Sequence, residues 1–243
     1  MCTVTFIPLK ERIFLTSNRD EKNVRASAVY PAVYEFPSGK IMFPRDSDAG
    51  GTWISVHQNG NAIVLLNGGL VKHIPAPPYR KSRGLILLDL IDTHEPYQAF
   101  AKLDLDDIEP FTTIIWEHGT LHECRWDGFR KYTKRPDPSL PHIWSSVTLY
   151  TPEVIAKREG WFANWLNKNP LPSQDDILNF HQFTGDGDNY NDLQMNRDGE
   201  TYTVSITSLN LERNKTLVRY LDLKNNQAAT AELAIQKNPV SLK

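Results

Sequence analysis

The chain has 243 residues, with 27 Lys and Arg against 29 Asp and Glu, and therefore a formal net charge of −2. A charge this close to balance provides no global field that would recruit nucleic acid or an acidic membrane surface. The composition, 40% hydrophobic and 23% charged, is that of an ordinary soluble globular protein. No apolar run approaches the ~20 residues that span a bilayer, and the N-terminus lacks the features of a secretory signal. We therefore expect a cytoplasmic protein with no membrane span and no nucleic-acid partner.

Two extended runs at the start of the chain predict a β-hairpin. Residues 3–8 and a second run over residues 12–21 carry β-branched and aromatic side chains, and a short polar link joins them. Antiparallel pairing places the end of the second strand beside the beginning of the first. Arg19 and Asp20, at the end of the second run, are therefore expected close to Cys2.

Cys2 directly follows the initiator Met, so removal of Met1 would leave a thiol and a free α-amine on one residue. The thiolate is the nucleophilic form of cysteine, and an α-amine that titrates near ~8 is able to take the thiol proton. We expect Arg19 to hold the thiolate and Asp20 to orient the amine through a charge-assisted hydrogen bond. The alternative is that Cys2 is a small residue of an edge strand with no chemical role.

Further along the chain, hairpins and helices are predicted in turn. Strand patterns around tight turns predict hairpins over residues 52–66, 112–126 and 202–223. Helices are predicted over residues 85–91, from Thr93 through 101 with Thr93 as the cap, from Thr151, and from Ser173. The helix over 85–91 is apolar nearly all round, which favours a position between layers. Residues 228–235 fit either a strand or a short helix.

This order of elements predicts the fold class. Strands in runs, with helices segregated between them, are typical of antiparallel sheets covered by helices rather than of alternating βαβ units. The chain shows no internal repeat, linker or low-complexity segment, which favours one domain over residues 1–243. A four-layer αββα sandwich of the α+β class fits the pattern, and so do several other α+β folds.

The sequence also carries a set of motifs in a characteristic order. The tetrapeptide Asn18-Arg19-Asp20-Glu21, placed after Met1-Cys2-Thr3, resembles the signature of the NRDE family, or transport-and-Golgi-organisation-2-like proteins. Further matches to that family follow in order: Arg45-Asp46, residues 49–54, Asn59-Gly60, Leu66-Asn67 and Ser82-Arg83-Gly84. The resemblance is carried by the segments up to Gly84.

The resemblance implies an N-terminal-nucleophile hydrolase fold, a four-layer αββα sandwich related to the conjugated-bile-acid and penicillin-V amide hydrolases. It implies that Cys2 is the nucleophile, that Arg19 and Asp20 support it, and that Asn67 is a candidate oxyanion-hole donor. Without the resemblance, Asn67 would be the end of a strand before a permissive turn. Those hydrolases carry a further Asn in mid-chain. The nearest stretch here is residues 144–146, where Ser146 is the candidate substrate-binding residue instead.

Four other residues are assigned a role in ligand binding or in the structure. Arg83, at the start of a predicted helix, is a candidate for binding an anionic group of a ligand. Arg45 and Asp46 are expected to form a structural ion pair. Cys124, the second of two cysteines, is expected to be a free thiol in the core.

The leading hypothesis is a cysteine amidohydrolase acting on a small, non-peptide C–N amide, with a small molecule as its partner. No metal-ligand or phosphate-binding pattern is present, so we predict no metal and no cofactor. The alternative is a non-catalytic binding or trafficking protein that uses its cavity for a hydrophobic or haem-like ligand. The sequence does not determine the oligomeric state.

Overall fold

The computed structural model describes residues 3–236, and within that range the chain forms fourteen strands and four helices. The strands are β1 (Thr3–Leu9), β2 (Arg12–Lys22), β3 (Val29–Phe36), β4 (Gly39–Arg45), β5 (Ile54–His57), β6 (Ala62–Asn67), β7 (Phe111–Glu117), β8 (Thr120–Trp126), β9 (Lys131–Lys134), β10 (His142–Ser145), β11 (Asn196–Arg197), β12 (Thr201–Glu212), β13 (Lys215–Asp222) and β14 (Gln227–Ala234). The helices are α1 (Arg83–Ile91), α2 (Pro96–Lys102), α3 (Pro152–Lys168) and α4 (Gln174–Phe183).

The strands form two antiparallel sheets. The first sheet has the order β10-β1-β2-β12-β13-β14, with β11 paired to β12. The second has the order β3-β4-β5-β6-β7-β8-β9, so each of its strands neighbours the next along the chain. The predicted first hairpin is confirmed, because β1 pairs with β2 in a register that sets Thr3 opposite Asn18.

Strand alternation divides the side chains of the first sheet between two faces. Val4 and Leu15 are buried in a core that also contains Ile54 and Val64 of the second sheet. Their sequence neighbours face the other way, and Phe14 packs in a separate cluster with residues of α3 and α4. One face of the first sheet therefore packs against the second sheet, and its other face packs against α3 and α4.

The second sheet is covered in the same manner by the other two helices. Ile63 and Leu65, on the outer face of β6, share a buried cluster with Leu87 of α1 and Phe100 of α2. The layer order is therefore helices, sheet, sheet, helices, and the predicted αββα sandwich is confirmed. Helix α1 lies on the outer face of the second sheet and not between layers. Its buried residues pack in the cluster with Ile63 and Leu65, and its one exposed residue is Asp89.

Several local predictions can be compared with the structure. The capping box at Ser173 is present, since Ser173 Oγ accepts a hydrogen bond from the Asp176 N–H and the Asp176 carboxylate accepts one from the Ser173 N–H. The predicted cap at Thr93 is wrong, because α2 begins after Glu95 and Thr93 Oγ1 donates to the carbonyl of Leu90. The segment at 228–235 is a strand, β14. Among the described helices, none combines the length and the apolar character needed to cross a membrane.

Candidate functional site

A cavity of about 460 Å³ lies where the ends of three elements meet, and three candidate residues line it. Arg19 comes from the end of β2, Asn67 is the last residue of β6, and Arg83 is the first residue of α1. The lining also includes other charged side chains: Glu21, Arg25, Asp46, Lys81 and Glu109. The cavity is therefore a polar site with both signs of charge.

Arg19 is buried at 3% exposure and held from two sides. Its Nη2 lies 2.6 Å from Asp46 Oδ2, and its guanidinium carbon lies 4.6 Å from the centre of the Trp53 ring. Arg25 Nη2 lies 2.9 Å from the other oxygen of Asp46. The predicted pair of Asp46 with Arg45 is wrong, since the Arg45 guanidinium instead stacks on Tyr34.

Asp46 organises the loop that borders the cavity. Its Oδ1 accepts hydrogen bonds from the backbone N–H groups of Asp48 and Ala49, at 3.1 and 2.8 Å. Burial alone raises the pKa of Asp46, but the hydrogen bonds from Arg25 and the Ala49 N–H, with the charge of Arg19, lower the pKa overall. Asp46 is therefore held as a carboxylate that orients Arg19 toward the cavity wall.

The loop packs directly onto the start of α1, and two glycines allow this approach. A Cβ atom on Gly51 would lie 2.4 Å from the carbonyl carbon of Gly84, and one on Gly84 would lie 2.8 Å from the Thr52 carbonyl oxygen. The Thr52 N–H donates to the Gly84 carbonyl at 3.2 Å. The two family-like segments containing these glycines thus meet in space and form one wall of the cavity.

Asn67 and Ser146 are in contact, although they belong to different parts of the chain. Ser146 Oγ donates to the Asn67 carbonyl oxygen at 2.7 Å, and Thr148 Oγ1 lies 3.0 Å from the same oxygen. Ser146 is buried, and the described cavity lining does not include it. Its visible contact is therefore with the backbone of Asn67, and its predicted role in substrate binding stays a prediction.

Asp20 lies on the opposite face of β2 from Arg19. Its carboxylate accepts hydrogen bonds from the Tyr150 hydroxyl at 2.8 Å and from Thr203 Oγ1 at 2.6 Å. Strand β12 has an irregular register between Thr203 and Ser205, directly opposite Asp20 and Arg19. Such β-bulges are frequent beside active sites, where they re-aim side chains.

Cys2 lies outside the described residues, so its predicted proximity to Arg19 and Asp20 stays a prediction. The next residue, Thr3, pairs with Asn18 on one side and with Ser145 on the other. The beginning of β1 is thus flanked by the residues that precede Arg19 and Ser146.

The sequence analysis missed a buried polar network on the helix-covered face of the first sheet. Arg158 of α3 is fully buried and donates to Thr3 Oγ1 at 2.6 Å. His181 of α4 bonds Thr5 Oγ1 through Nε2 at 2.7 Å and Asn18 Oδ1 through Nδ1 at 2.5 Å. The network ties both helices to the first two strands.

A signal for this network was present in the helix pattern. Arg158 lies four residues before Phe162, which is buried against the sheet, so both occupy one face of α3. An arginine within an apolar helical stripe is a buried polar group that needs partners inside the protein. That face of α3 was interpreted from its apolar residues alone, and Arg158 was therefore overlooked.

The buried imidazole of His181 predicts a specific acid sensitivity. Burial, and then the positive charge of Arg158, lower the pKa of His181 from 6.5 to about 3. The folded state therefore binds fewer protons than the unfolded state between these values, and His181 makes stability fall as pH drops below 6.5. Its largest contribution to the slope is about 1.4 kcal/mol per pH unit.

Urea unfolding of wild type and His181→Gln between pH 7 and pH 5 tests this expectation. We expect the free energy of unfolding to fall more steeply for wild type, because the variant lacks the titrating group. The same slope in both proteins would contradict the assignment.

Two further residues complete the description. Arg83 Nη2 lies 3.0 Å from Glu109 Oε2, and Glu109 Oε1 lies 3.2 Å from His73 Nε2. Cys124 is a free, fully buried thiol, as predicted. Burial, with the charges of Glu123 and Glu117, raises the pKa of Cys124 to about 12, so this thiol is unreactive at neutral pH.

Comparison with known proteins places this geometry in a family. Residues 1–151 match the family Transport and Golgi organisation 2, which is more than half of the chain. The chain belongs to this family. No curated protein gives a significant sequence match to it.

Solved structures with the same fold include an acid amidase and two variants of a bile acid hydrolase. An orthologue of N-acylethanolamine-hydrolyzing acid amidase from Caenorhabditis elegans has a TM-score of 0.59 at 10% identity, covering 86% of this chain and 92% of its own. A cysteine-to-alanine mutant of conjugated bile acid hydrolase from Clostridium perfringens has a TM-score of 0.59 at 12% identity, covering 98% and 97%. An arginine-to-leucine variant of that hydrolase has a TM-score of 0.60 at 12% identity, covering 98% and 100%. This member of the Transport and Golgi organisation 2 family therefore has the N-terminal-nucleophile hydrolase fold.

Proposed function

We propose that the protein is an N-terminal-nucleophile cysteine hydrolase that cleaves the C–N amide bond of a small, non-peptide compound. The observation that carries the proposal is that Arg19 and Asn67, from different sheets, line one cavity. Asn18, the residue before Arg19, pairs with Thr3, which follows Cys2 in the chain. The cavity volume of about 460 Å³ is within the range of small-molecule sites.

The proposed reaction begins with removal of Met1. The freed α-amine of Cys2 takes the thiol proton, and the thiolate attacks the amide carbonyl carbon. Asn67 and a backbone N–H stabilise the oxyanion of the tetrahedral intermediate. The C–N bond then breaks, the leaving amine takes the proton, and water hydrolyses the thioester to release the acid and restore the thiol.

The supporting residues have separate roles in this proposal. Arg19, fixed by Asp46 and Trp53, presents positive charge toward the thiolate. Asp20 orients the amine, from a carboxylate already fixed by Tyr150 and Thr203. The bile acid hydrolase mutant has its replaced cysteine at the second position of its chain, the position that Cys2 occupies here.

The charged lining of the cavity favours this function over storage of a hydrophobic or haem-like ligand. Seven of its side chains carry charge, four basic and three acidic: Arg19, Arg25, Lys81, Arg83, Glu21, Asp46 and Glu109. Burying apolar surface against ionised groups removes their solvation without supplying partners. A polar amide substrate supplies hydrogen-bonding partners for these charged groups, whereas apolar surface does not.

The test is the thiol chemistry of Cys2. The protein is expressed without a tag, and its intact mass is measured before and after treatment with iodoacetamide at neutral pH. We expect the mass of Met1 to be absent and a single fast modification to map to Cys2, with Cys124 protected by burial. Cys2→Ser removes the fast modification and Cys124→Ser leaves it unchanged. A retained Met1, or a Cys2 that reacts no faster than Cys124, would overturn the proposal and favour the binding protein.

A further inference from the structure

Within the part of the chain that the structure describes, Arg158 is a fully buried arginine without a carboxylate partner. Among the salt bridges of residues 3–236, none includes Arg158. Its donors instead go to neutral oxygens: Thr3 Oγ1 at 2.6 Å, the Asn191 carbonyl at 3.0 Å and the Asp192 carbonyl at 2.7 Å. Burying a charge without a counterion costs desolvation free energy, so we expect a function that requires Arg158 at this position.

Arg158 contacts two residues that adjoin the proposed catalytic residues: Thr3, next to Cys2, and Tyr150, which donates to Asp20. Thr3 directly follows Cys2 in the chain. The guanidinium carbon also lies 3.6 Å from the centre of the Tyr150 ring, and the hydroxyl of Tyr150 donates to Asp20. One guanidinium thus contacts both the residue after Cys2 and the side chain that fixes the Asp20 carboxylate.

We propose that Arg158 is a positioning residue for the Cys2 nucleophile. Its guanidinium anchors the start of β1 through Thr3 and fixes Asp20 through Tyr150. The inference rests on the proposed hydrolase function and adds a residue to it that no family-like segment includes.

The shape of the side chain matters in this arrangement. The planar guanidinium donates in several fixed directions and stacks on an aromatic ring at the same time, which an ammonium group does not do. Lysine at this position would keep the charge and lose the fork that joins Thr3 to the carbonyls of Asn191 and Asp192. Arg158→Lys is therefore expected to behave as a loss of function.

The experiment measures the second-order rate constant for iodoacetamide modification of Cys2 at neutral pH, well below the unfolding temperature of each variant. Arg158→Gln and Arg158→Lys are expected to react about tenfold more slowly than wild type or worse, because small displacements of a reacting group have large effects on rate. Thr3→Val removes only the hydroxyl that Arg158 contacts and is expected to slow the reaction in the same direction. Combined with Arg158→Gln, it is expected to add little, since both changes break one interaction.

Arg197→Gln is the matched control. Arg197 lies 5.5 Å from the Tyr150 ring centre and donates to the Leu149 carbonyl, and its hydrogen bonds within residues 3–236 do not include Thr3. Its rate is expected to remain within about twofold of wild type.

The outcomes separate the inference from the function on which it rests. A wild-type Cys2 that reacts no faster than Cys124 overturns both. A reactive wild type with Arg158→Gln, Arg158→Lys and Thr3→Val all at the wild-type rate overturns only the positioning role. A purely structural role lowers the unfolding temperature and leaves the rate for the folded protein unchanged. If the Arg158 variants do not fold, Thr3→Val alone decides, because it keeps the guanidinium and the side-chain shape.

Discussion

Replacing Asp46 with alanine is expected to lower the free energy of unfolding by about 3–5 kcal/mol. The substitution leaves the guanidinium of Arg19, which is 3% exposed, without its counterion. It also removes the acceptor for Arg25 and for the backbone N–H groups of Asp48 and Ala49. Removing one partner of a buried pair is severe because the remaining charge keeps its desolvation cost. Urea unfolding at neutral pH measures the effect.

Asp48→Ala is the control for this prediction. Asp48 lies two residues further on, its side chain is 49% exposed, and its carboxylate lies 3.9 Å from Arg25 Nε. An exposed ion pair contributes about 1 kcal/mol or less, so we expect only a small change. Equal losses in the two variants would mean that burial of Arg19 against Asp46 does not determine the stability of this loop.

Gly51→Ala is expected to destabilise the protein by about 1–3 kcal/mol and to deform the cavity. The added methyl would lie 2.4 Å from the Gly84 carbonyl carbon and 2.6 Å from the Leu85 nitrogen. Both are backbone atoms at the start of α1, so no side chain can rotate away to relieve the clash. Thermal unfolding measures the stability loss, and the alkylation rate of Cys2 measures the effect on the site.

Gly160→Ala serves as a matched change with the opposite expected sign. Gly160 lies inside α3, and nothing lies within 4 Å of a Cβ atom placed there. Alanine in a helix interior is favoured over glycine by about 0.5–1 kcal/mol, so this variant is expected to be more stable than wild type. A Gly51→Ala protein as stable as wild type would show that α1 and the loop can separate without cost.

Local patterns predicted much of the fold. The first hairpin, the hairpin around Asn59-Gly60 and the capping box at Ser173 each depend on residues close in sequence, and the structure contains all three. Layer order followed from the succession of strands and helices together with the family resemblance. Strands β4, β9, β10 and β11 were not predicted, because their runs are short and lack a clear alternation.

The site was predicted less completely, because its contacts join distant segments. Arg19, Asn67 and Arg83 were identified from motifs, but only the folded chain shows that they line one cavity. The partners of Asp46 are 27 and 21 residues away along the chain, whereas the adjacent Arg45 was the residue predicted. Proximity in sequence was the wrong guide there, because Asp46 follows the last residue of β4 and its partners come from β2 and the segment after it.

The alternation of side chains along a strand places a severe restriction on length changes within β2. This strand is hydrogen-bonded on both sides, to β1 and to β12, and its neighbouring residues Arg19 and Asp20 serve opposite faces of the sheet. A single residue inserted before Arg19 would exchange the two faces, sending the guanidinium toward the helices and the carboxylate toward the inter-sheet core. Two inserted residues would restore the orientation. Evolution of this segment is therefore expected to proceed by substitution, with length variation confined to the turn at residues 10–11.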